Sequence, residues 1–155
     1  MLQPNSKIVK FASGPQIAVQ IEWIDGAIAA SHLSLSDAFS CSGADAELLE
    51  WLTLYAKGIQ KSWSLFSGTP FQREVMQTMQ KIPLGQTMTY GELAHVCGRP
   101  HAARAVGGAC KQNRFPLFVP CHRVVRASGK LGGFAYGLEI KRRLLAFEAG
   151  FALPR

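Results

Sequence analysis

Residues 89–111 read Thr89-Tyr90-Gly91-Glu92-Leu93-Ala94-His95-Val96-Cys97-Gly98-Arg99-Pro100-His101-Ala102-Ala103-Arg104-Ala105-Val106-Gly107-Gly108-Ala109-Cys110-Lys111. Thr89 with Glu92 three residues on is the pattern of a capping box, in which each side chain satisfies a free backbone N–H of the first helical turn. It predicts a short helix over 90–97, closed by Gly98. Arg99-Pro100 then reopens helical structure through Ala102, Ala103, Val106 and Ala109. Two short helices about a glycine-containing turn make a helix-turn-helix candidate. The second helix is almost without side chains, being built from Ala102, Ala103, Ala105, Gly107, Gly108 and Ala109. A helix that reads base edges in the major groove presents polar side chains. A thin helix suits close approach of backbone to a narrow groove, and suits packing against another helix equally well. Arg104 among the small residues favours DNA.

Upstream, Thr69-Pro70-Phe71-Gln72 is another helix start, with a capping threonine, proline at the first helical position and glutamine three residues on. Phe71, Val75, Met76 and Met79 form its apolar stripe, and Pro83-Leu84-Gly85 ends it. Lys61 to Gly68 reads as a linker with room for one short strand. Before it, Ile17, Val19, Ile21 and Trp23 alternate with Ala18, Gln20 and Glu22, the period of a strand. Asp25-Gly26 suits a tight hairpin turn, and Ala27–Leu35 reads as the returning strand. Ile8–Ala12 is expected to be a third strand. Ala44–Ile59 is expected to be a helix, with Leu48, Leu49, Leu52, Tyr55 and Ile59 on one face.

Downstream, Phe115-Pro116-Leu117-Phe118-Val119-Pro120 predicts a stiff, extended approach to Cys121. A loop with Gly129, Gly132, Gly133 and Gly137 follows, then a helix over 138–149 stopped by Gly150. Leu144, Leu145 and Phe147 give that helix bulk. Glu148 lies in its last turn, where an acid opposes the helix dipole. The expectation is an α+β protein: residues 1–66 form a small strand-and-helix supporting domain, and residues 67–155 a mainly helical domain with the helix-turn-helix.

The charge follows the same division. Residues 1–68 carry four lysines against six acids, net −2; residues 69–155 carry thirteen basic residues against four acids, net +9. A basic half beside a slightly acidic one points to a polyanionic partner. No apolar run is long enough to cross a bilayer, and Met1-Leu2-Gln3-Pro4-Asn5-Ser6-Lys7 lacks a signal core. The expected place is inside the cell, in the cytoplasm. Of the four cysteines, Cys41, Cys97, Cys110 and Cys121, none forms a Cys-x-x-Cys pair or a zinc-finger spacing with histidine. Cys121, in Val119-Pro120-Cys121-His122-Arg123-Val124, is the candidate nucleophile. A thiol must become thiolate to attack, and His122 is an adjacent base if a tight turn brings the two together. Taken alone, the triplet Pro-Cys-His more often marks a structural cysteine.

Residues 69–150 resemble the C-terminal domain of the O6-alkylguanine-DNA alkyltransferases, also called methylated-DNA–protein-cysteine methyltransferases. Four segments carry the resemblance in order and spacing: Thr89 to Ala94; Arg104 to Ala109 with Asn113; Pro120-Cys121-His122-Arg123-Val124; and Lys141 to Glu148. The resemblance implies single-turnover transfer of a methyl group from O6-methylguanine in duplex DNA to Cys121, with O4-methylthymine a second candidate substrate. The target base would be rotated out of the stack through the minor groove. His122 would be the base, linked through a water to Glu148. Tyr90 would donate a hydrogen bond to a guanine ring nitrogen and crowd the neighbouring phosphate. Arg104 would fill the vacated place in the stack, with Ala103, Gly107 and Arg114 also at the DNA. Asn113 would tie the recognition helix to the active-site loop, and the carbonyls of Cys121 and Val124 would accept from the guanine amino group. Pro116, Ala135 and Tyr136 would complete the base pocket. The resemblance implies no metal, no cofactor and a monomer.

One departure stands out. Where a well-known branch of the family has tyrosine-serine-glycine, this chain has Phe134-Ala135-Tyr136. Ala135 lacks the hydroxyl and Tyr136 is bulky, so a narrower pocket that prefers methyl to benzyl adducts is expected. Three rival readings remain at the level of sequence: a lesion sensor that does not react, against which Cys121 itself argues; a transcription factor, against which the bare helix argues; and a cysteine hydrolase, which leaves the basic half unexplained.

Overall fold

A computed structural model describes residues 7–63 and 67–151. The first half forms a four-stranded sheet, β1 (Ile8–Lys10), β2 (Ile17–Ile24), β3 (Ala27–Leu35) and β4 (Ser40–Ser42), followed by helix α1 (Ala46–Ala56). The hairpin falls where the sequence puts it. Asp25 and Gly26 both have positive φ, 50° and 78°, as a two-residue turn matched to strand twist requires. The alternation is also kept: Ile17, Val19 and Ile21 are buried against the core.

The strand order is β1-β4-β2-β3. Strand β4 pairs antiparallel with β1 and parallel with β2. Its sequence, Ser40-Cys41-Ser42, has no strand pattern; it is extended because it fills the place between two flanking strands. Strand β1 stops at Lys10, short of the expected Ala12. Helix α1 is shorter than the expected 44–59, and Ile59 lies beyond it, half exposed. Asp45 caps it by accepting from the Leu48 N–H. Residues 61–63 and 67–68 form no strand, and residues 64–66 of the expected linker lie outside the described residues.

In the second half α2 (Pro70–Met79) begins with the full reciprocal capping box of Thr69 and Gln72. It ends at Met79, before Pro83-Leu84-Gly85. A short strand β5 (Met88–Thr89) leads into α3 (Tyr90–Val96), where Thr89 accepts from the Glu92 N–H at 3.0 Å, the half of the box that the structure contains. Gly98, at φ 74°, makes the turn. Helix α4 (Ala103–Lys111) starts three residues past Pro100, with no side-chain cap. Strand β6 (Val124–Val125) pairs parallel with β5, and α5 (Leu138–Ala149) closes the fold.

The two halves share one continuous buried cluster, in which Trp51 of α1 packs on Phe118 at 4.6 Å. Ser31 of β3 adds a polar clamp. Its N–H donates to the Arg114 carbonyl and its hydroxyl to the Pro116 carbonyl, both at 2.9 Å, and its own carbonyl accepts from the Tyr136 hydroxyl at 3.2 Å. Among the described residues no helix is long and apolar enough to cross a membrane.

Candidate active site

Cys121, His122 and Arg123 form a single 3-10 turn, all three buried. The approach to it is not extended. The Val119 N–H donates back to the Phe115 carbonyl at 2.8 Å, and Leu117 is forced to φ 77°. The prolines at 116 and 120 stiffen a tight loop rather than a straight segment, because this loop must return the chain to β6 beside β5.

Asn113, just beyond α4, is also buried. Its amide donates to the Val119 carbonyl at 2.9 Å and to Cys121 Sγ at 3.2 Å, while its oxygen accepts from the Phe115 N–H at 3.0 Å. The end of the thin helix and the thiol loop are thereby tied at three points. Burial pushes the Cys121 thiol above its ordinary value, against the Asn113 hydrogen bond and the Lys141 charge, which favour the thiolate. At neutral pH the resting group is the thiol, so attack requires a base.

His122 is fully buried, and its Nε2 meets Glu148 Oε2 at 2.6 Å. The contact is direct and replaces the water-bridged link expected from the sequence. An ionised carboxylate there keeps the proton on Nε2 and leaves Nδ1 as the acceptor in the neutral ring. Nδ1 has no hydrogen-bond partner among the described residues. Burial holds the His122 imidazole below its usual range in spite of Glu148, so the ring is neutral at neutral pH.

Glu148 has the reason that its place in the last turn of α5 called for. It is 1% exposed and accepts from three donors: His122 Nε2, Arg123 Nε at 2.7 Å and the Tyr55 hydroxyl at 2.6 Å. Burial alone would push its carboxyl up; the His122 and Arg123 charges and their hydrogen bonds outweigh that and hold it at about 2. While His122 is neutral, Arg123 is the permanent counter-ion.

The sign of the resulting acid dependence follows. The unfolded carboxyl, near 4.5, takes up its proton before the folded one. Stability contributed by the Glu148 carboxylate is complete above pH 4.5 and drains away as pH falls towards 2, by roughly 3 kcal/mol. The buried neutral His122 adds a loss of the same sign, because the unfolded imidazole protonates first. Urea unfolding across this range should show the decline, and a flat profile would exclude the network.

Three participants around the thiol were not singled out in the sequence. Arg123 also donates to the Ile82 carbonyl at 2.8 Å. Lys141 is completely buried, and its Nζ donates to the carbonyls of Val124, at 2.7 Å, and Gly133, at 3.3 Å. One acceptor position on the Val124 carbonyl is therefore already used. Tyr55 comes from α1, in the other half of the chain. A signal for Lys141 existed: with Leu144 and Glu148 it lies on one stripe of α5, and a helix that buries a lysine and a glutamate on its core face must pair them.

Tyr90 is partly buried, between α4 and the glycine loop. A methyl group added at Gly107 would lie 3.8 Å from its ring, and one at Gly132 3.4 Å. Tyr136 is also partly buried, its ring tilted on Phe134 at 5.8 Å and its hydroxyl held by Ser31. Both phenols are pushed up, first by burial and then by nearby thiols, Cys110 and Cys121 for Tyr90 and Cys121 for Tyr136. Pro116 and Val124 are buried; Ala135 is exposed. On α4, Arg104 and Gly108 are exposed in one i, i+4 row, with Ala105 exposed beside them and Ala103 and Gly107 at its edge. Arg114 is exposed just beyond. A groove of about 360 Å³ between β2–β3 and the end of α4 is lined in part by Lys111, Asn113, Arg114 and Tyr136.

Fold and site thus define an α+β protein with two short helices about a glycine turn and, in one buried 3-10 turn, a thiol held by Asn113 next to an imidazole paired with a carboxylate. Residues 70–150 match the family model described as 6-O-methylguanine DNA methyltransferase, DNA binding domain. This is just over half of the chain, and the chain belongs to that family. It is 47% identical over 100 residues to a methylated-DNA–protein-cysteine methyltransferase of Methanosarcina acetivorans, a match covering 63% of this chain and 64% of that one. It is 53% identical over 81 residues to the protein of that name from Shigella flexneri, covering 52% and 47%. The chain thus spans less than two thirds of the length of either relative. Among solved structures, Mycobacterium tuberculosis OGT in complex with DNA is similar at TM-score 0.64 and 40% identity, over 74% of this chain and 72% of that one. The M. tuberculosis O6-methylguanine methyltransferase is similar at TM-score 0.64 and 30% identity, over 90% and 96%.

Proposed function

We propose that this protein repairs duplex DNA by moving the methyl group of O6-methylguanine irreversibly onto Cys121, once per molecule. The observation that carries this reading is a buried thiol, Cys121, in one 3-10 turn with an imidazole that is hydrogen-bonded to a buried carboxylate, in a chain whose relatives bear the name of that activity. The thiol proton passes to His122 Nδ1, and the imidazolium is balanced by Glu148. The sulfur forms a bond to the methyl carbon as the carbon–oxygen bond breaks, and the electron pair stays on guanine O6. Tyr90 donates to a ring nitrogen and eases departure of the base. The thioether product has no leaving group, so the molecule is spent. Residues 67–155 carry transfer and DNA binding, and residues 1–66 support them. The protein works as a monomer in the cytoplasm, and O4-methylthymine is a second substrate to assay.

The direct test is to mix the protein with a duplex containing O6-methylguanine and weigh it. A gain of one methyl for one proton, confined to the peptide of Cys121, is expected. Lesion binding with no change of mass would instead establish a sensor.

On this reading Arg104 enters the minor groove and fills the gap left by the rotated base, with Ala103, Gly107 and Arg114 close to the backbone. Arg104→Ala should slow repair of duplex DNA by roughly 10- to 100-fold, the worth of unstacking a base step, and leave reaction with the free modified base nearly unchanged. Equal losses on both substrates would remove the finger role.

On the same reading Tyr136, whose hydroxyl is pinned by the Ser31 carbonyl, walls the base pocket together with Pro116, Val124 and Ala135. O6-methylguanine should react roughly tenfold or more faster than O6-benzylguanine. Equal single-turnover rates would show that the wall yields.

A further inference from the structure

We infer that Tyr55, on helix α1 of the first half, is a positioning residue for thiol activation: its hydroxyl shares Glu148 Oε2 with His122 and sets how strongly that carboxylate holds the imidazole. The inference rests on the proposed methyl transfer for its meaning and on geometry for its content. Tyr55 is 1% exposed, and its hydroxyl donates to Glu148 Oε2 at 2.6 Å. The same oxygen receives His122 Nε2 at 2.6 Å. Two donors on one carboxylate oxygen compete for its electron density.

The phenol is held firmly. Its ring stacks on Trp51 at 5.4 Å and 10°, and tilts against Phe147 at 5.4 Å and Phe39 at 6.1 Å. Burial and the Glu148 charge both push the phenol well above its ordinary value, so it remains a donor throughout the working range. The titratable and charged groups facing the histidine–carboxylate pair are Tyr55 from α1, Arg123 from the 3-10 turn and Lys141 from α5. Tyr55 is the neutral donor among them, and it joins the first half of the chain to the reacting centre.

Without the hydroxyl, Oε2 bears more charge towards His122 and the imidazole keeps its proton to higher pH. The neutral ring is what accepts the thiol proton, so the acid limb of the rate profile should move upward.

The test follows two reactions of the full chain against pH: single-turnover methyl uptake from an O6-methylguanine duplex, and alkylation of Cys121 by iodoacetamide, each read by peptide mass. Tyr55→Phe keeps the aromatic packing and should shift the acid limb of both profiles upward by about one pH unit, a rate loss of about tenfold on that limb. Replacement of Tyr55 by 3-fluorotyrosine, a stronger donor that fills the same space, should shift the limb downward. A lowered melting temperature with both limbs unmoved would overturn the inference, since a merely structural hydroxyl gives that result. If iodoacetamide profiles shift while no protein takes up methyl, the proposed function fails and the role of Tyr55 stands. If methyl is taken up and the limbs do not move, Tyr55 is excluded and the proposed function stands.

Discussion

Cys121→Ser should take up no methyl from an O6-methylguanine duplex, while the folded protein still binds that duplex. The physical reason lies in the proton. A thiol held above its ordinary value can still hand its proton to a neutral imidazole, with Asn113 Nδ2 at 3.2 Å to steady the thiolate. A serine hydroxyl is far less acidic, and the His122–Glu148 pair is not aimed at forming an alkoxide in a buried site. The exchange also changes little else, since sulfur and oxygen both accept from Asn113. Intact mass after incubation, with lesion binding by fluorescence anisotropy, separates the outcomes. Methyl gain in Cys121→Ser would place the acceptor elsewhere, and Cys110, partly exposed on α4, would be the first residue to examine.

Glu148→Gln should have the largest effect on stability. The substitution removes the charge partner of a buried guanidinium, because Arg123 is 3% exposed and Glu148 supplies its carboxylate contact. Breaking one side of a buried pair costs about 3–5 kcal/mol, which for a chain of this length lowers Tm by roughly 10 °C or more. The same change leaves the imidazolium without its counter-ion. Methyl uptake, measured at a temperature where circular dichroism shows the variant folded, should fall by about 100-fold or more, the usual worth of general-base assistance. A variant that melts early but reacts at the native rate would separate the carboxylate from the chemistry.

Local chemistry made much of the fold legible. The Asp25-Gly26 turn, the alternation through Ile17–Ile21 and the two threonine caps each act over a few residues, and each appears where the sequence places it, while the alternation expected to run on to Trp23 is broken by an irregularity between Glu22 and Trp23. What could not be read depends on distant partners. Ser40-Cys41-Ser42 becomes a strand because β1 and β2 leave a place between them. Val124-Val125 pairs with Met88-Thr89 across thirty-odd residues. The loop before Cys121 bends because it must return the chain there, and prolines alone do not reveal whether a loop bends or extends. The same limit applies to the candidate site. Cys121, His122, Asn113 and Glu148 come together in space, with Tyr90 and Tyr136 nearby. Tyr55 stands on an ordinary apolar helix face, and nothing in the sequence distinguishes its hydroxyl from that of a core tyrosine satisfied elsewhere.

The Ser31 clamp bears on the solution behaviour of the first half. Strand β3 is nine residues long and lies at the border of its sheet. An uncovered border of that length offers backbone groups to any passing extended chain. Here the N–H and carbonyl of Ser31 are both taken, at the middle of the strand, by Arg114 and Tyr136. The half that holds Cys121 therefore also shields its neighbour against edge-to-edge aggregation, and separating the two would expose a template for polymerisation.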